Sequence, residues 1–169
     1  MIKAEVEKQF EVYIKQNELL LYKICRIYAF TTTDRQDLFQ EMVIQLWKAF
    51  PKFKGKSKFS TWLYRVAINT AITGLRKKKD FIISYEPSQL PVQAAHETGS
   101  LEEEQWQQLW HAIEQLSPVE KSIVLLYLED KPYEEMEDIL GISQGTLRVK
   151  MTRIKEKLRQ LAKTIDYGT

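Results

Sequence analysis

Residues 138–158, DILGISQGTLRVKMTRIKEKL, join the end of a short helix to a longer helix rich in Lys and Arg through a turn at Gly141. Apolar residues of the longer helix are spaced by three or four, so they share one face and pack inward. These residues are Leu147, Met151, Ile154, Leu158 and Leu161. The spacing predicts a helix-turn-helix in which Ser143 caps the second helix.

The opposite face of this second helix is cationic. In a helix-turn-helix, the second helix enters the DNA major groove by its N-terminal half. Arginine can pair bidentately with guanine, whereas Val149 and the methyl group of Thr152 suit a thymine methyl. The candidate contacts are Arg148, Val149, Lys150, Thr152, Arg153 and Lys157. The alternative is a basic amphipathic helix within an ordinary bundle.

The remaining sequence is helical in pattern, because glycine and proline are scarce and no stretch alternates with period two. Ser117 and Glu120 form a capping box, and Thr33 is the expected N-cap of a helix. The predicted helices cover residues 3–29, 34–50, 60–79, 101–116, 132–140 and 144–163, with a further one starting at Pro118.

The stretch ISYEPSQLPVQAAHETGS has two prolines, a glycine and no periodicity, so it reads as an extended linker. We therefore predict an all-α fold of two small helical domains, residues 1–82 and 102–169, joined by a flexible linker at 83–101. Charge divides the chain into a basic block, an acidic block and a mildly basic block from residue 131, which carries eight Lys and Arg against six acidic residues. Residues 1–80 carry 16 Lys and Arg against 8 acidic residues, whereas 81–130 carry one lysine against nine. This pattern indicates separate modules with different partners.

Composition predicts a cytoplasmic protein. The single cysteine, Cys25, excludes an internal disulfide and is expected in the core. No window of 18 apolar residues occurs, and the N-terminus lacks a signal-peptide pattern, so we expect no membrane insertion.

Two surfaces of the N-terminal half are candidate binding sites. Ile44 lies among polar residues of helix 34–50, beside Asp37, Gln40 and Glu41, which suggests a partner-binding patch. The next helix is apolar almost all round, with one polar stripe of Arg65, Asn69, Thr73 and Arg76.

A basic loop precedes this stripe and is interleaved with aromatic residues. Lysines attract phosphates and aromatic rings stack on exposed bases, as in single-strand binding. The residues concerned are Lys52, Lys54, Lys56 and Lys58, with Phe53, Phe59, Trp62 and Tyr64. The alternative is that these aromatic residues, Trp62 among them, simply pack the core.

Two segments carry a family resemblance. DLFQEMVIQLWKAFPKFKGKSKFSTWLYRVAINTAI resembles region 2 of an extracytoplasmic-function (ECF, group IV) RNA polymerase sigma factor of the sigma-70 family. LSPVEKSIVLLYLEDKPYEEMEDILGISQGTLRVKMTRIKEKLRQL resembles region 4 of the same family. Their order, with a linker between them, covers nearly the whole chain.

The resemblance implies roles for the candidate residues. The helix 34–50 would bind the clamp helices of the largest polymerase subunit through Asp37, Gln40, Glu41, Ile44 and Trp47. Promoter contacts at the -10 element would come from Lys54, Lys56, Lys58, Trp62, Arg65, Asn69 and Arg76, with a flipped base near the loop. The helix 144–157 would read the -35 element, and the acidic linker would thread through the polymerase.

Further expectations follow from the family. The partners are core RNA polymerase, including its flap, promoter DNA and an anti-sigma factor, and the free protein is expected to be a monomer. Two positions depart from the family pattern: Glu137 replaces a small residue, and Val149 replaces a small polar one, so the base preference at Val149 is not inherited.

Other classes fit the sequence less well. His96 and His111 have no companions for a metal site or a catalytic triad, so we expect no enzyme, metal or cofactor. A simple helix-turn-helix repressor or activator would explain residues 117–163 but would leave the Ile44 patch and the Arg65 stripe without a purpose. An anti-sigma or membrane-associated adaptor is disfavoured by the lack of a spanning segment.

Overall fold

The structure is a computed structural model that describes the backbone of residues 2–83 and 101–167. It describes the side chains of residues 2–74 and 101–163. Within these ranges the chain is helical and contains no strand, which confirms the predicted all-α class. The helices are α1 Ile2–Gln16, α2 Glu18–Tyr28, α3 Thr32–Ala49, α4 Phe59–Ile83, α5 Leu101–Glu114, α6 Pro118–Leu128, α7 Tyr133–Leu140 and α8 Gln144–Tyr167, with a 3-10 turn at Phe50–Lys52.

The chain divides into two compact units, Met1–Lys79 and Asp80–Thr169. The predicted flexible linker at 83–101 lies outside the described residues except at its ends, where Ile83 closes α4 and Leu101 opens α5.

The first unit is built around α2, α3 and α4, whose apolar faces meet in a core. Leu21, Ile24, Met42, Leu46 and Leu63 are fully buried there. Cys25 is also buried, as predicted. Burial raises the pKa of the Cys25 thiol to about 11, although the charge of Arg35 acts in the opposite direction. A thiol of this kind is inert at neutral pH.

Two helix boundaries differ from the prediction. The single helix expected over 3–29 is broken at Asn17, whose side-chain amide donates to the Tyr13 carbonyl at 2.8 Å. The N-cap of α3 is Thr31 and not Thr33: the Asp34 backbone N–H donates to Thr31 Oγ1 at 3.0 Å. All three successive threonines can cap, and Asp34 would lie in the first turn, where the helix dipole favours it, with either Thr31 or Thr33 as the N-cap.

Replacing Thr31 by alanine is therefore expected to destabilise the first unit by ~1 kcal/mol, the usual effect of losing an N-cap. Thr33→Ala removes an exposed threonine side chain from the first turn and should change the free energy of unfolding by less than about 0.5 kcal/mol. Urea unfolding followed by far-UV circular dichroism measures both. A larger effect of Thr33→Ala would contradict the observed cap.

The second unit packs α5, α6 and α7 against α8. Its core contains Ile113, Ile123, Leu126, Met136 and Leu147, each at most 1% exposed. The capping box predicted at the start of α6 is confirmed: Ser117 Oγ accepts from the Glu120 backbone N–H at 3.2 Å, and Glu120 Oε1 accepts from the Ser117 N–H at 3.0 Å. This capping box sets the start of α6 at Pro118.

Candidate nucleic-acid interface

The helix-turn-helix consists of α7, a three-residue turn and α8. Gly141 ends α7 in the left-handed conformation, with φ 70°, and its N–H donates to the Glu137 carbonyl at 2.8 Å. Glycine adopts this conformation without the strain that a side chain would add. Ser143 Oγ then accepts from the Thr146 N–H at 3.3 Å, which confirms its role as a cap. Glu137, one of the two departures from the family pattern, is half-buried in the middle of α7.

The two faces of α8 are divided as the spacing predicts. Leu147, Met151 and Ile154 are buried, and Leu158 and Leu161 are half-buried. Arg148, Val149, Thr152 and Arg153 are exposed, and Lys150 is half-buried beside them. Val149 is 52% exposed although it is apolar. The N-terminal half of α8 therefore presents a cationic face with an apolar centre.

The hydroxyl of Thr152 is used within the helix, because it donates to the Arg148 carbonyl at 3.0 Å. Its methyl group is the part suited to an apolar contact. Within the described part of the chain, no ion pair joins Lys150 or Arg153 to an acidic residue. Their charges are thus available to an external anion.

Cations in the C-terminal half of α8 contact the protein itself. The ammonium of Lys157 lies 3.2 Å from Glu120 Oε1, and that of Lys155 lies 4.7 Å from the centroid of the Tyr127 ring. Arg159 pairs with Glu156 at 3.6 Å. Lys157, predicted as a DNA contact, is therefore positioned against the start of α6, a placement that sequence spacing did not indicate.

Glu120 connects the capping box to α8. Burial by itself raises the pKa of this carboxyl. Hydrogen bonds from the Ser117 backbone and side chain, and then the hydrogen bond and charge of Lys157, outweigh burial, so the net pKa lies below the ordinary 4.5. The carboxylate form is thus the one that stabilises the fold.

Glu120→Gln is expected to remove this charge-dependent stabilisation while keeping an acceptor for the capping box. Because the pKa is lowered in the folded state, the stabilisation is complete above about pH 4.5 and is lost as the pH falls through the folded-state pKa. At pH 7 the free energy of unfolding of the wild type should exceed that of the variant by about 1 kcal/mol or less, and this difference should vanish in acid. Urea unfolding across a pH series measures it.

The control for this experiment is Glu156→Gln, since the Glu156–Arg159 pair is exposed and joins residues of the same helix. A difference between wild type and Glu120→Gln that does not change with pH would show that the carboxylate charge of Glu120 has no stabilising role.

The aromatic residues around the basic loop form a ring cluster. Trp62 is half-buried, with ring centroids 5.1 Å from Phe53, 5.3 Å from Phe59 and 6.3 Å from Phe50. Tyr13 of α1 stacks on Phe59 at 4.6 Å. Sequence reasoning missed this contribution of α1, because Tyr13 and Phe59 are far apart along the chain.

The lysines predicted beside this cluster are exposed, namely Lys54, Lys56 and Lys58. Gly55 stands between the first two with φ 72°, a conformation that favours glycine and lets the loop turn. The cluster thus supports an exposed basic loop at the start of α4.

The polar stripe of α4 is exposed at Arg65, Asn69 and Thr73. The side chain of Arg76 lies outside the described residues. A groove of about 650 Å³ runs between α3 and α4, and its lining includes Glu41, Gln45 and Asn69. The structure therefore brings the predicted polymerase contact Glu41 and the predicted DNA contact Asn69 to one groove, which no spacing along the sequence indicates.

The candidate partner patch of α3 is exposed at Asp37, Gln40 and Glu41, and Ile44 is 46% exposed among them. Gln45 donates to Glu41 Oε1 at 2.8 Å. Trp47 is placed differently: it is half-buried and meets Phe10 edge to face at 5.0 Å.

A helix-turn-helix with a cationic outer face, in one chain with a basic and aromatic loop, is typical of a DNA-binding protein. Comparison with known proteins agrees. The family description "Sigma-70 region 2" matches residues 13–81, and "Sigma-70, region 4" matches 106–158. The ECF RNA polymerase sigma-E factors of Escherichia coli (strain K12) and Salmonella typhimurium (strain LT2) are each 31% identical over 137 residues, which cover 74% of this chain and 72% of each relative.

The chain belongs to the ECF sigma factors of the sigma-70 family. Its function is promoter-specific initiation of transcription, and sigma factors are not enzymes. Members of the family bind RNA polymerase.

Two solved structures share the fold. The sigma factor RpoE of Bartonella quintana, in complex with the anti-sigma factor NepR, is 21% identical with a TM-score of 0.74, over 92% of this chain and 98% of that one. CnrH, in complex with the cytosolic domain of CnrY, is 16% identical with a TM-score of 0.63, over 94% and 90%.

Among residues 2–83 and 101–167, no helix is long and apolar enough to cross a membrane. Over the same residues, no three His, Cys, Asp or Glu side chains come together as a metal site would require.

Proposed function

We propose that this chain binds core RNA polymerase through its first unit and reads two promoter elements, one with each unit. The observation that supports this most strongly is the outer face of α8. It combines Lys150 and Arg153, which have no ion pair among the described residues, with the exposed apolar side chain of Val149. Such a face suits base edges and phosphates of the major groove.

The -35 element is read by the second unit. Arg148 and Arg153 supply donors for guanine, Val149 and Thr152 supply apolar contacts, and Lys150 supplies charge toward phosphates. Lys157 adds to this charge, because its side chain stays 45% exposed although it pairs with Glu120. Support comes from the exposure of five of these side chains and from the partial exposure of Lys150.

The -10 element is recognised and opened by the loop before α4 and by the stripe along it. Lys54, Lys56 and Lys58 attract the phosphate backbone of the DNA, and Arg65, Asn69 and Arg76 are assigned to contacts with promoter DNA. Trp62 serves this site through its aromatic cluster, which holds the loop in place.

Core polymerase is bound by α3. Asp37, Gln40, Glu41 and Ile44 form the exposed contact with the clamp helices of the largest subunit, and Trp47 supports it from beside Phe10. The second unit contacts the polymerase flap.

The remaining parts of the proposal concern organisation and regulation. The domains are residues 1–82 and 102–169, and the linker 83–101 threads through the polymerase. The free protein is a cytoplasmic monomer, regulated by an anti-sigma factor that masks its binding surfaces. The solved relatives in complex with NepR and with the cytosolic domain of CnrY support this last point.

Run-off transcription from fragmented genomic DNA, with core polymerase and with or without this protein, tests the proposal. Discrete new transcripts that share paired upstream motifs are the expected result. No transcripts, and no co-migration with core polymerase, would favour a helix-turn-helix repressor.

A further inference from the structure

The two arginines of the α8 outer face have different surroundings. The guanidinium carbon of Arg148 lies 5.1 Å from the centroid of the Tyr133 ring, within the range of a cation–π contact. Among the described residues, no aromatic ring stands over Arg153 in the same way. Arg148 is thus held from the neighbouring helix, whereas Arg153 is not.

Tyr133 is well placed to hold a side chain still. It is the first residue of α7, follows the extended Pro132, and is half-buried. The α7 helix itself packs on α8 and ends at the turn before it. The ring is therefore fixed to the same helix-turn-helix that carries Arg148.

A cation–π contact restricts an arginine without using its hydrogen-bond donors. The guanidinium group of Arg148 lies over the Tyr133 ring, and its N–H groups remain available to a planar acceptor pair. A long side chain that is already restrained loses less rotamer freedom when it binds. A restrained fork also tolerates fewer acceptor geometries, which increases discrimination between bases.

We infer that Tyr133 is a positioning residue for Arg148 and sets the stringency with which one base pair of the -35 element is read. The inference rests on the proposed function, because it requires Arg148 to contact a base. Tyr133 acts through Arg148, so its effect is confined to the base pair that Arg148 reads.

The test uses holoenzyme, made from core polymerase and the full chain, on the promoter recovered by run-off transcription. Each base pair of the upstream element is changed in turn, and the ratio of dissociation constants is measured by competition. Tyr133→Leu keeps apolar bulk but removes the ring, so discrimination at one base pair should fall about three-fold, as for an exposed cation–π contact. Tyr133→Phe keeps the ring and should retain the discrimination of the wild type at that base pair.

Two controls separate positioning from general structure. Tyr127→Leu removes the ring beside Lys155 of the same helix and should leave every preference unchanged. In an Arg148→Ala background, Tyr133→Leu should have no further effect on discrimination. For Tyr133→Leu alone, the salt dependence of DNA binding should equal that of the wild type, because no phosphate contact is removed.

Opposite outcomes would overturn the inference. A uniform loss across all base pairs, or a loss that persists without Arg148, would show that Tyr133 only supports the fold. A loss with Tyr133→Phe would show that the hydroxyl, and not the ring, is responsible. If Arg148→Ala itself changed no base preference, the assignment of Arg148 to the -35 element would fail, whereas the run-off result would still test the sigma function.

Discussion

Leu147→Ala is expected to destabilise the second unit by ~2–5 kcal/mol, because truncation of a fully buried leucine removes apolar contacts and leaves a cavity. Leu147 is 0% exposed and lies directly beneath the outer face of α8. The net stability of small domains is commonly ~5–15 kcal/mol, so the variant should lose a large part of it. Recognition of the -35 element should be lost with the packing of α8.

The matched control is Val149→Ala, two residues further along the same helix. Val149 is 52% exposed, so its truncation should change the free energy of unfolding by no more than about 0.5 kcal/mol. Urea unfolding followed by far-UV circular dichroism compares the two. Equal unfolding midpoints for both variants would mean that α8 does not pack through Leu147.

Arg153→Ala is expected to weaken binding to the -35 element by ~1–3 kcal/mol and to relax the preference at one base position, as for the loss of a bidentate contact. Glu41→Lys should instead weaken the binding of core polymerase, because it reverses a charge on the exposed patch of α3. These two variants test the division of labour between the units.

The assay for both is promoter binding by holoenzyme at increasing concentrations of core polymerase. Saturating polymerase should restore Glu41→Lys to the level of the wild type and should leave Arg153→Ala weak. Arg159→Ala is a matched control for Arg153, because Arg159 is an exposed arginine of the same helix that pairs with Glu156. The division of labour would be wrong if Arg153→Ala and Glu41→Lys gave the same defect under both conditions.

Features that depend on neighbours within about four residues could be predicted from the sequence. The inward face of α8, the capping box of Ser117 and Glu120, and the cap by Ser143 follow from helix geometry alone. The family resemblance rests on the same local patterns, since apolar spacing and turn residues recur wherever the fold recurs. Local geometry did not decide between Thr31 and Thr33 as the N-cap, because both are threonines and can cap equally well.

Contacts between helices could not be predicted in this way. Lys157 is 37 positions from Glu120, and its spacing on α8 suggested DNA, whereas packing of α8 on α6 placed it beside a carboxylate. Packing of α1 on α3 likewise placed Trp47 against Phe10, although Trp47 lies only three residues from the exposed Ile44.

The sequence by itself thus determined the helical class, most of the helical segments and their apolar faces, and the family to which these patterns belong, because backbone hydrogen bonding and side-chain periodicity act over a single turn. Only the tertiary structure decided which exposed cations have partners, because such contacts depend on how helices distant in sequence pack. Arg148 shows the difference: its place on the outer face of α8 was predictable, but the ring of Tyr133 above it was not.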